Sequence, residues 1–449
     1  MRLIHWRDCG LWHRSVLAFL ALLLLLHGAY SVTPDLGPRL RDLAFLVGSV
    51  VLSLLLVGFW IAWRPLFANA PPQTPAAAPD PCDALLAAGM IVTAAYFSLP
   101  NRLALSLIAA FVVAQAVILG LGRRRMSLLA SCGALLAAFA VVIARTNINH
   151  LGADMLPVSV WADQVFLQGH NPYFSDYTSV TPGPFYYLPV QWLIYLPFVV
   201  LHLDVRLLNF ASLLGMIGLL ALLWRDLPRP WTGFALLLAI IACRPSTEMV
   251  YQGEVWPLWL MVSAFVVAYY RERMVVAAVL LGLLLACNQT TLVLAALLGV
   301  HQLRTGRWRE TVLLGAIVLA VYAAIVVPFA RGVVAFIDQN YIALPHLAGI
   351  MSERTYHNAI TQVSLINVLT RLGLIGLRAK LQLLAGLAGM ASVAAWRGMT
   401  KAQFLAICGL VYLVTVGLNT QVWKYYYVQG LILLFWSLMA PRARTAPTP

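Results

Sequence analysis

Long apolar stretches with almost no charge recur from one end of this chain to the other. They lie near 15–31, 43–63, 83–98, 101–121 and 127–145, then near 206–224, 231–247, 254–270, 274–287, 290–303, 311–328, 380–397, 403–418 and 424–440. The apolar residues form continuous runs rather than one-sided stripes, the pattern of helices surrounded by lipid or by other apolar helices. A bilayer core takes about 20 apolar residues per helix, and backbone groups in lipid must bond within their own segment. The pattern predicts an all-α, polytopic membrane bundle of about fourteen transmembrane helices.

The polar breaks orient the bundle. With the N-terminus inside, the clusters Arg123-Arg124-Arg125, Arg225/Arg229, Arg271/Arg273, Arg304/Arg307/Arg309, Arg397/Lys401 and Arg442/Arg444 all fall on the cytoplasmic side, as the positive-inside rule requires. This threading makes 185–201 an interfacial helix rather than a span, in keeping with Tyr186, Tyr187, Pro189, Trp192, Tyr195 and Pro197. It also divides 274–303 into two helices broken at Cys287-Asn288-Gln289-Thr290, since polar residues in mid-run are tolerated where they face a cavity. Two long loops, about 146–205 and about 329–379, then lie outside. Residues 1–125 read as an accessory module of about four spans, 126–440 as the working membrane domain and 441–449 as a cytoplasmic tail. The Pro- and Ala-rich segment 65–82 is a linker.

Composition excludes the soluble alternatives. Of 449 residues, 62% are hydrophobic and only 10% charged, against roughly 25% charged in soluble domains. The net charge of +14 sits mostly in the short inter-run clusters, so it marks topology and not nucleic-acid binding. Cys9, Cys82, Cys132, Cys243, Cys287 and Cys408 show no paired spacing and read as small apolar residues. The basic start Arg2, Arg7 and Arg14 before a Leu-rich run has no small-residue cleavage motif after it, so a retained signal-anchor is expected. Trp256, Trp259, Tyr269 and Tyr270, near run ends, read as interfacial belt residues.

Candidate chemistry concentrates in the first long loop. It reads Asn149-His150-Leu151-Gly152-Ala153-Asp154, then Trp161-Ala162-Asp163-Gln164, then Gly169-His170-Asn171-Pro172-Tyr173 and Pro184-Phe185-Tyr186-Tyr187-Leu188-Pro189. A carboxylate just past the outer end of a helix, followed by a Gly-x-Asn-Pro-Tyr turn, is unusual for a mere connector. A transporter would more often hold its acidic residue inside a span near the midplane.

The stretch 154–189 resembles the first external loop of the C-type glycosyltransferase fold, most closely glycosyltransferase family 87, which includes polyprenyl-phosphate-mannose-dependent α-mannosyltransferases. Asp154, Ala162, Gly169-His170-Asn171-Pro172-Tyr173 and Tyr187-Leu188-Pro189 match its pattern in order. Asp154 stands about one residue further from the turn than is usual, and Leu188 replaces a proline. Gln252-Gly253-Glu254-Val255-Trp256 lies where the family often has Gly-Gln-Val-Asn. Gly282 to Thr291 resembles its Leu-Lys-Pro segment with Asn288 at the lysine, and Trp423-Lys424-Tyr425-Tyr426 falls at its Trp-x-His-Tyr pattern. The resemblance covers about 146–440, and these departures bear on substrate more than on reaction class.

The resemblance implies transfer of a hexose, mannose first, from a polyprenyl-phosphate sugar to a glycan or glycolipid acceptor at the outer face. It implies Asp154 as general base, and the chemistry agrees: a carboxylate can accept the hydroxyl proton as the sugar bond forms. One carboxylate suffices for a single inverting displacement, because phosphate is already a good leaving group. The competing reading is a helix-capping Asp. Asp163 is the rival base, set against a solvated face or a structural pair. The departing phosphate needs cationic donors; Arg354 and His357, in the polar patch 352–358, and Lys424 are the candidates, with Arg331 an interfacial anchor. Glu248 and Glu254 could bind acceptor hydroxyls or pair with Arg244, and Tyr173, Tyr187 and Asn288 fall in the acceptor-or-structural class.

No Walker motif, metal-ligand cluster or Ser-His-Asp arrangement stands out. No cofactor or metal is expected, and the partners are the lipid-linked donor, the acceptor and membrane lipids. A transporter or flippase for a lipid-linked glycan is the alternative, favoured by internal repeats and midplane charges that the chain does not display. A purely structural subunit leaves the polar first loop unexplained.

Overall fold

The protein is described from a computed structural model covering residues 11–30, 38–66, 79–98, 101–148, 155–175, 185, 187–337, 362–419 and 425–441. Among these residues the structure is all helical, with no strand. Within these residues each apolar run of the sequence is helical, and the run 231–247 is divided between two helices at Cys243. The first five are α1 (Leu11–Tyr30), α2 (Pro38–Leu66), α3 (Pro81–Ser98), α4 (Asn101–Gly120) and α5 (Arg124–Arg145). Three short helices follow, α6 (Met155–Leu167), α7 (Pro189–Leu193) and α8 (Leu196–Val200). Then come α9 (Arg206–Leu223), α10 (Pro230–Ala242), α11 (Arg244–Tyr251), α12 (Trp256–Tyr270), α13 (Met274–Cys287), α14 (Leu292–Arg304), α15 (Trp308–Val326) and α16 (Ala330–Ile337). The chain closes with α17 (Leu365–Arg371), α18 (Arg378–Ala395), α19 (Lys401–Gly417) and α20 (Tyr426–Leu438).

Among the described residues four helical stretches, Leu40–Ile61, Arg124–Arg145, Arg206–Leu223 and Trp308–Val334, are long and apolar enough to cross a membrane, and α10 with α11, bent by 65° between them, would make a fifth. The other apolar helices are shorter. The run 274–303 is indeed two helices, divided by a short 3-10 turn at Gln289–Thr291. The stretch 185–201 likewise holds no long helix: α7 and α8 meet at a bend at Ile194–Tyr195.

Contacts gather the basic turns at one end of the bundle. Arg271 pairs with Asp226 at 2.9 Å, and Lys401 with Glu272 at 3.2 Å. Arg304 donates to the Val393 carbonyl at 3.4 Å, and Arg125 lies 5.6 Å from the Trp231 ring centre. The turns α4–α5, α9–α10, α12–α13, α14–α15 and α18–α19 therefore share one surface, called here the basic end.

The few buried polar residues of the first four helices serve to dock them. His27 on α1 accepts from the Arg244 backbone N–H through Nδ1 at 3.1 Å. The Ser49 hydroxyl on α2 accepts from the Ser364 N–H at 3.0 Å. Asp83 on α3 accepts from the Thr232 hydroxyl at 3.0 Å. Helices α1 and α2 thereby pack on α11, α17, α19 and α20, whereas α3 and α4 pack on α5, with α3 also against α10.

The tyrosines and tryptophans of α12 are core, not belt. Trp256, Trp259 and Tyr269 are buried, and the Tyr270 hydroxyl donates to the Trp436 carbonyl at 2.7 Å. The reason is that α9, α13 and α20 surround α12, so the bundle covers the rings that a lipid-facing helix would expose. Trp192 and Tyr195, expected at the headgroups, are fully buried for the same reason.

Candidate active site

Four helices stop short at a common height. From the basic end, α10 has 13 residues, α12 has 15, α13 has 14 and α20 has 13. At 1.5 Å per residue these reach about 20–22 Å, whereas the hydrocarbon core of a bilayer is about 30 Å thick. Set against a core of that thickness beginning at the basic end, helices of these lengths fall short of the other side; their far ends, at Ala242, Trp256, Cys287 and Tyr426, are called here the recessed floor. Irregular backbone at that depth is tolerated where protein buries it or where it lines a cavity.

Glu254 stands at this floor in the break between α11 and α12, and is buried at 3% exposure. Its Oε1 accepts from the Gln191 side-chain amide of α7 at 2.9 Å. Gly253 is needed beside it, because a Cβ there would run into Met249. The break is held from α9 by Asn209, whose amide reaches the carbonyls of Met249 (3.3 Å), Val250 (3.2 Å) and Gly253 (2.6 Å). Asn209 in turn accepts from the Tyr195 hydroxyl at 2.8 Å. Asn209 is a residue the sequence reading missed; its signal was a lone amide inside an apolar run.

Asn288 forms the tip of the α13–α14 hairpin. Its side-chain oxygen accepts from the Thr290 N–H at 2.9 Å and hydroxyl at 2.7 Å. Thr290 touches the Tyr412 hydroxyl at 3.2 Å, which donates to Gln429 at 3.0 Å. Asn288 thus caps a turn and, through Thr290 and Tyr412, links α13 to α19 and α20. Tyr195, Cys287 and Tyr425 lie within electrostatic reach of Glu254, and Tyr187 within that of Tyr425, so the first-loop segment, the hairpin and the start of α20 converge around one carboxylate.

The Gly-x-Asn-Pro-Tyr turn performs a local task. Asn171 accepts from the Tyr173 N–H at 3.0 Å, and the Tyr173 hydroxyl donates to the Tyr187 carbonyl at 2.6 Å. Around Tyr173 sit Phe166, Phe185, Trp192 and Phe329, in edge-on or tilted contacts with ring centres 5.1–6.3 Å apart. Such pairs contribute roughly 0.5–1.5 kcal/mol each beyond their buried area. Gly332 on α16 lets the helix rest on Tyr173, since a Cβ there would collide with the ring. These rings bind α6, α7 and the end of α15 into one unit.

Asp163 corrects an expectation. It is not on a solvated face: it is completely buried, and among the described residues both carboxyl oxygens are without a hydrogen-bond partner. The inner face of α6, with Leu156, Val158, Ser159 and Ala162, turns it inward. Helix α6 lies in the first long loop, outside the four long spans, and burial there pushes the carboxyl up to about 8. An isolated buried carboxylate neutralises rather than bear the desolvation cost.

Glu248 pairs with Arg244 at 2.6 Å, one helical turn apart on α11, so one of its two expected roles is occupied. Arg331 is exposed on α16. Asp154, Arg354, His357 and Lys424 lie outside the described residues, although Asp154 directly precedes Met155, the first residue of α6. Among the described residues no three His, Cys, Asp or Glu side chains come together as metal ligands. A separate cavity of about 360 Å³ between α3, α4 and α5, walled by Ile91, Phe111, Leu135 and Phe139 among others, offers nothing polar to hold a sugar or phosphate.

A family model for glycosyltransferase family 87 matches residues 182–442. The match contains Tyr187, Gln191, Glu254, Asn288 and the whole recessed floor, and begins after Asp154, Asp163 and Tyr173. No curated protein and no solved structure matches the chain.

Proposed function

The chain belongs to glycosyltransferase family 87, and from that premise we propose that it moves a hexose, with mannose the leading candidate, from a polyprenyl-phosphate sugar to a glycan or glycolipid acceptor. The reaction takes place on the external side of the cytoplasmic membrane, with the basic end in the cytoplasm as the positive-inside rule assigns it.

What supports this reading is the length of the helices that rise from the basic end: at about 20 Å they are too short to cross a hydrocarbon core of about 30 Å. A donor whose isoprenoid chain stays in the bilayer can present its phosphate at that height without leaving the membrane. A water-soluble acceptor or a glycolipid head can reach the same height from the far side. Glu254, Gln191 and the tyrosines around them supply hydrogen-bonding groups suited to sugar hydroxyls.

In the proposed step Asp154 takes the proton of the acceptor hydroxyl as its oxygen bonds to the anomeric carbon. The bond from that carbon to the phosphate oxygen breaks on the opposite face, so configuration inverts and polyprenyl phosphate departs. Arg354, His357 and Lys424 meet the charge that develops on the phosphate.

Membranes containing the protein should transfer radiolabel from a polyprenyl-phosphate sugar to acceptor, and none from the corresponding nucleotide sugar. Movement of lipid-linked glycan between leaflets, with no new glycosidic bond from any lipid-phosphate sugar, would replace the reading with a flippase.

A further inference from the structure

Helices α4 and α5 are clamped together near the basic end and part around a cavity further along. In the clamp the Gln115 amide donates to the Ser127 carbonyl and to the Ser131 hydroxyl, both at 3.2 Å. Beyond it, Ala134, Ala137 and Ala138 present only small side chains toward α3 and α4. The space left is the cavity of about 360 Å³, and every residue that lines it is apolar. Voids much larger than a water molecule are few in a close-packed interior. An apolar cavity of about 150 Å³ stays dry and admits a six-carbon ring, so on that scale this one takes roughly fourteen carbons, or about three isoprene units. Leu107 on α4 is 47% exposed and Ala137 on α5 is exposed, so the cavity opens sideways between these two helices. In a membrane bundle such an opening faces lipid.

The cavity lies as far from the basic end as the recessed floor does. Phe111 and Leu107 are about 14–20 Å along α4 from Gly120, and Ala134 to Val141 about 15–26 Å along α5 from Arg124. Its wall also runs on toward the floor. Val142 packs with Ala95 and Ile108 of the wall and with Tyr251, which ends α11 three residues before Glu254.

We infer that this cavity seats part of the donor's isoprenoid chain, entering from the bilayer between α4 and α5, with the sugar phosphate at the floor beyond Tyr251. The inference rests on the reading of the donor as a polyprenyl-phosphate sugar. Lipid tails are as apolar as the cavity wall, so no hydrophobic gain draws the chain out of the bilayer. The seat acts by contact: an open cavity forfeits the dispersion attraction of its walls, and a chain that fills it restores that attraction. Continuity of the wall with the α11–α12 break favours a chain whose head is used at that break over a phospholipid tail, whose head belongs at the membrane surface. Helices α3 and α4 thereby gain a task in substrate binding.

The test uses the full chain in liposomes and a polyprenyl phosphate that carries a diazirine on its chain near the phosphate. Light should attach the probe to α4 and α5, at or beside Phe111 and Ala138. Unmodified polyprenyl phosphate in excess should displace it, and phosphatidylglycerol should not. Ala138→Leu should reduce the labelling and lower the preference for a long-chain over a short-chain donor, as a ratio of kcat/KM values, about tenfold. Leu387→Phe, at an exposed position of α18, should leave that ratio unchanged. Labelling only elsewhere in the chain overturns the inference, as does displacement by phosphatidylglycerol as readily as by polyprenyl phosphate; neither result needs a variant to fold. An unchanged ratio in a folded Ala138→Leu overturns it too. Displaceable labelling in a protein that transfers no sugar would uphold the seat and overturn the transfer reading alone.

Discussion

Gln191 and Glu254 are 63 residues apart in the chain and 2.9 Å apart in space. The contact joins α7, from the first long loop, to the break between α11 and α12. It is a hydrogen bond to a buried carboxylate, which contributes roughly 1.5–3 kcal/mol. Gln191→Ala should therefore lower the midpoint of thermal unfolding. The double variant with Glu254→Ala should cost less than the two singles added, with a coupling of about 1–2 kcal/mol. Strict additivity in that cycle would show that the contact carries no energy.

Asn209 offers a harsher substitution. Asn209→Leu keeps the branched outline of the side chain and suits the apolar run of α9, but it adds bulk and removes the donor shared by three carbonyls and the acceptor of the Tyr195 hydroxyl. Each buried polar group left bare costs about 1–3 kcal/mol, so the variant should be among the least stable single changes in the membrane domain. A melting temperature in detergent equal to wild type would contradict this.

Gly332 and Tyr173 form a paired test of the aromatic unit. Gly332→Ala should reduce both stability and transfer, because its Cβ collides with the ring. Tyr173→Ala alone should also lower stability through its lost contacts, but combined with Gly332→Ala it should cost clearly less than the two single changes added, since the obstacle is gone. Strict additivity of the two changes would place the effect elsewhere.

The shared surface of the basic turns gives a topological prediction. In a cysteine-free background, a cysteine replacing Arg307 should react with an impermeant thiol reagent only after the cells are opened. A cysteine replacing Leu372, exposed on the turn between α17 and α18, should react in intact cells. The reverse pattern would invert the proposed orientation.

Much of the architecture was legible because lipid leaves the backbone so few options. Apolar runs became helices, and Asn288 in mid-run marked a real break. Glu254 stood out for the same reason, as a charge where no solvated surface was available. What escaped was information about what covers a face. Asp163 falls nine residues after Asp154, a spacing that gives direction on a helix but says nothing of α7 and α8 above it. Trp256, Trp259 and Tyr269 look alike in sequence whether lipid or protein surrounds them, and only the packing of α9, α13 and α20 decides it. The role of Asn171-Pro172-Tyr173 was hidden likewise, since its partners Phe329 and Gly332 are about 160 residues away.

The most direct test of the central claim is a single-turnover assay of purified protein in liposomes, with a polyprenyl-phosphate sugar as donor and Asp154→Asn beside wild type. The account predicts transfer with inversion by wild type, and a loss of at least about 100-fold in Asp154→Asn, as removal of a general base requires, with donor binding unchanged. Transfer by Asp154→Asn at the wild-type rate, or a product of retained configuration, would contradict it.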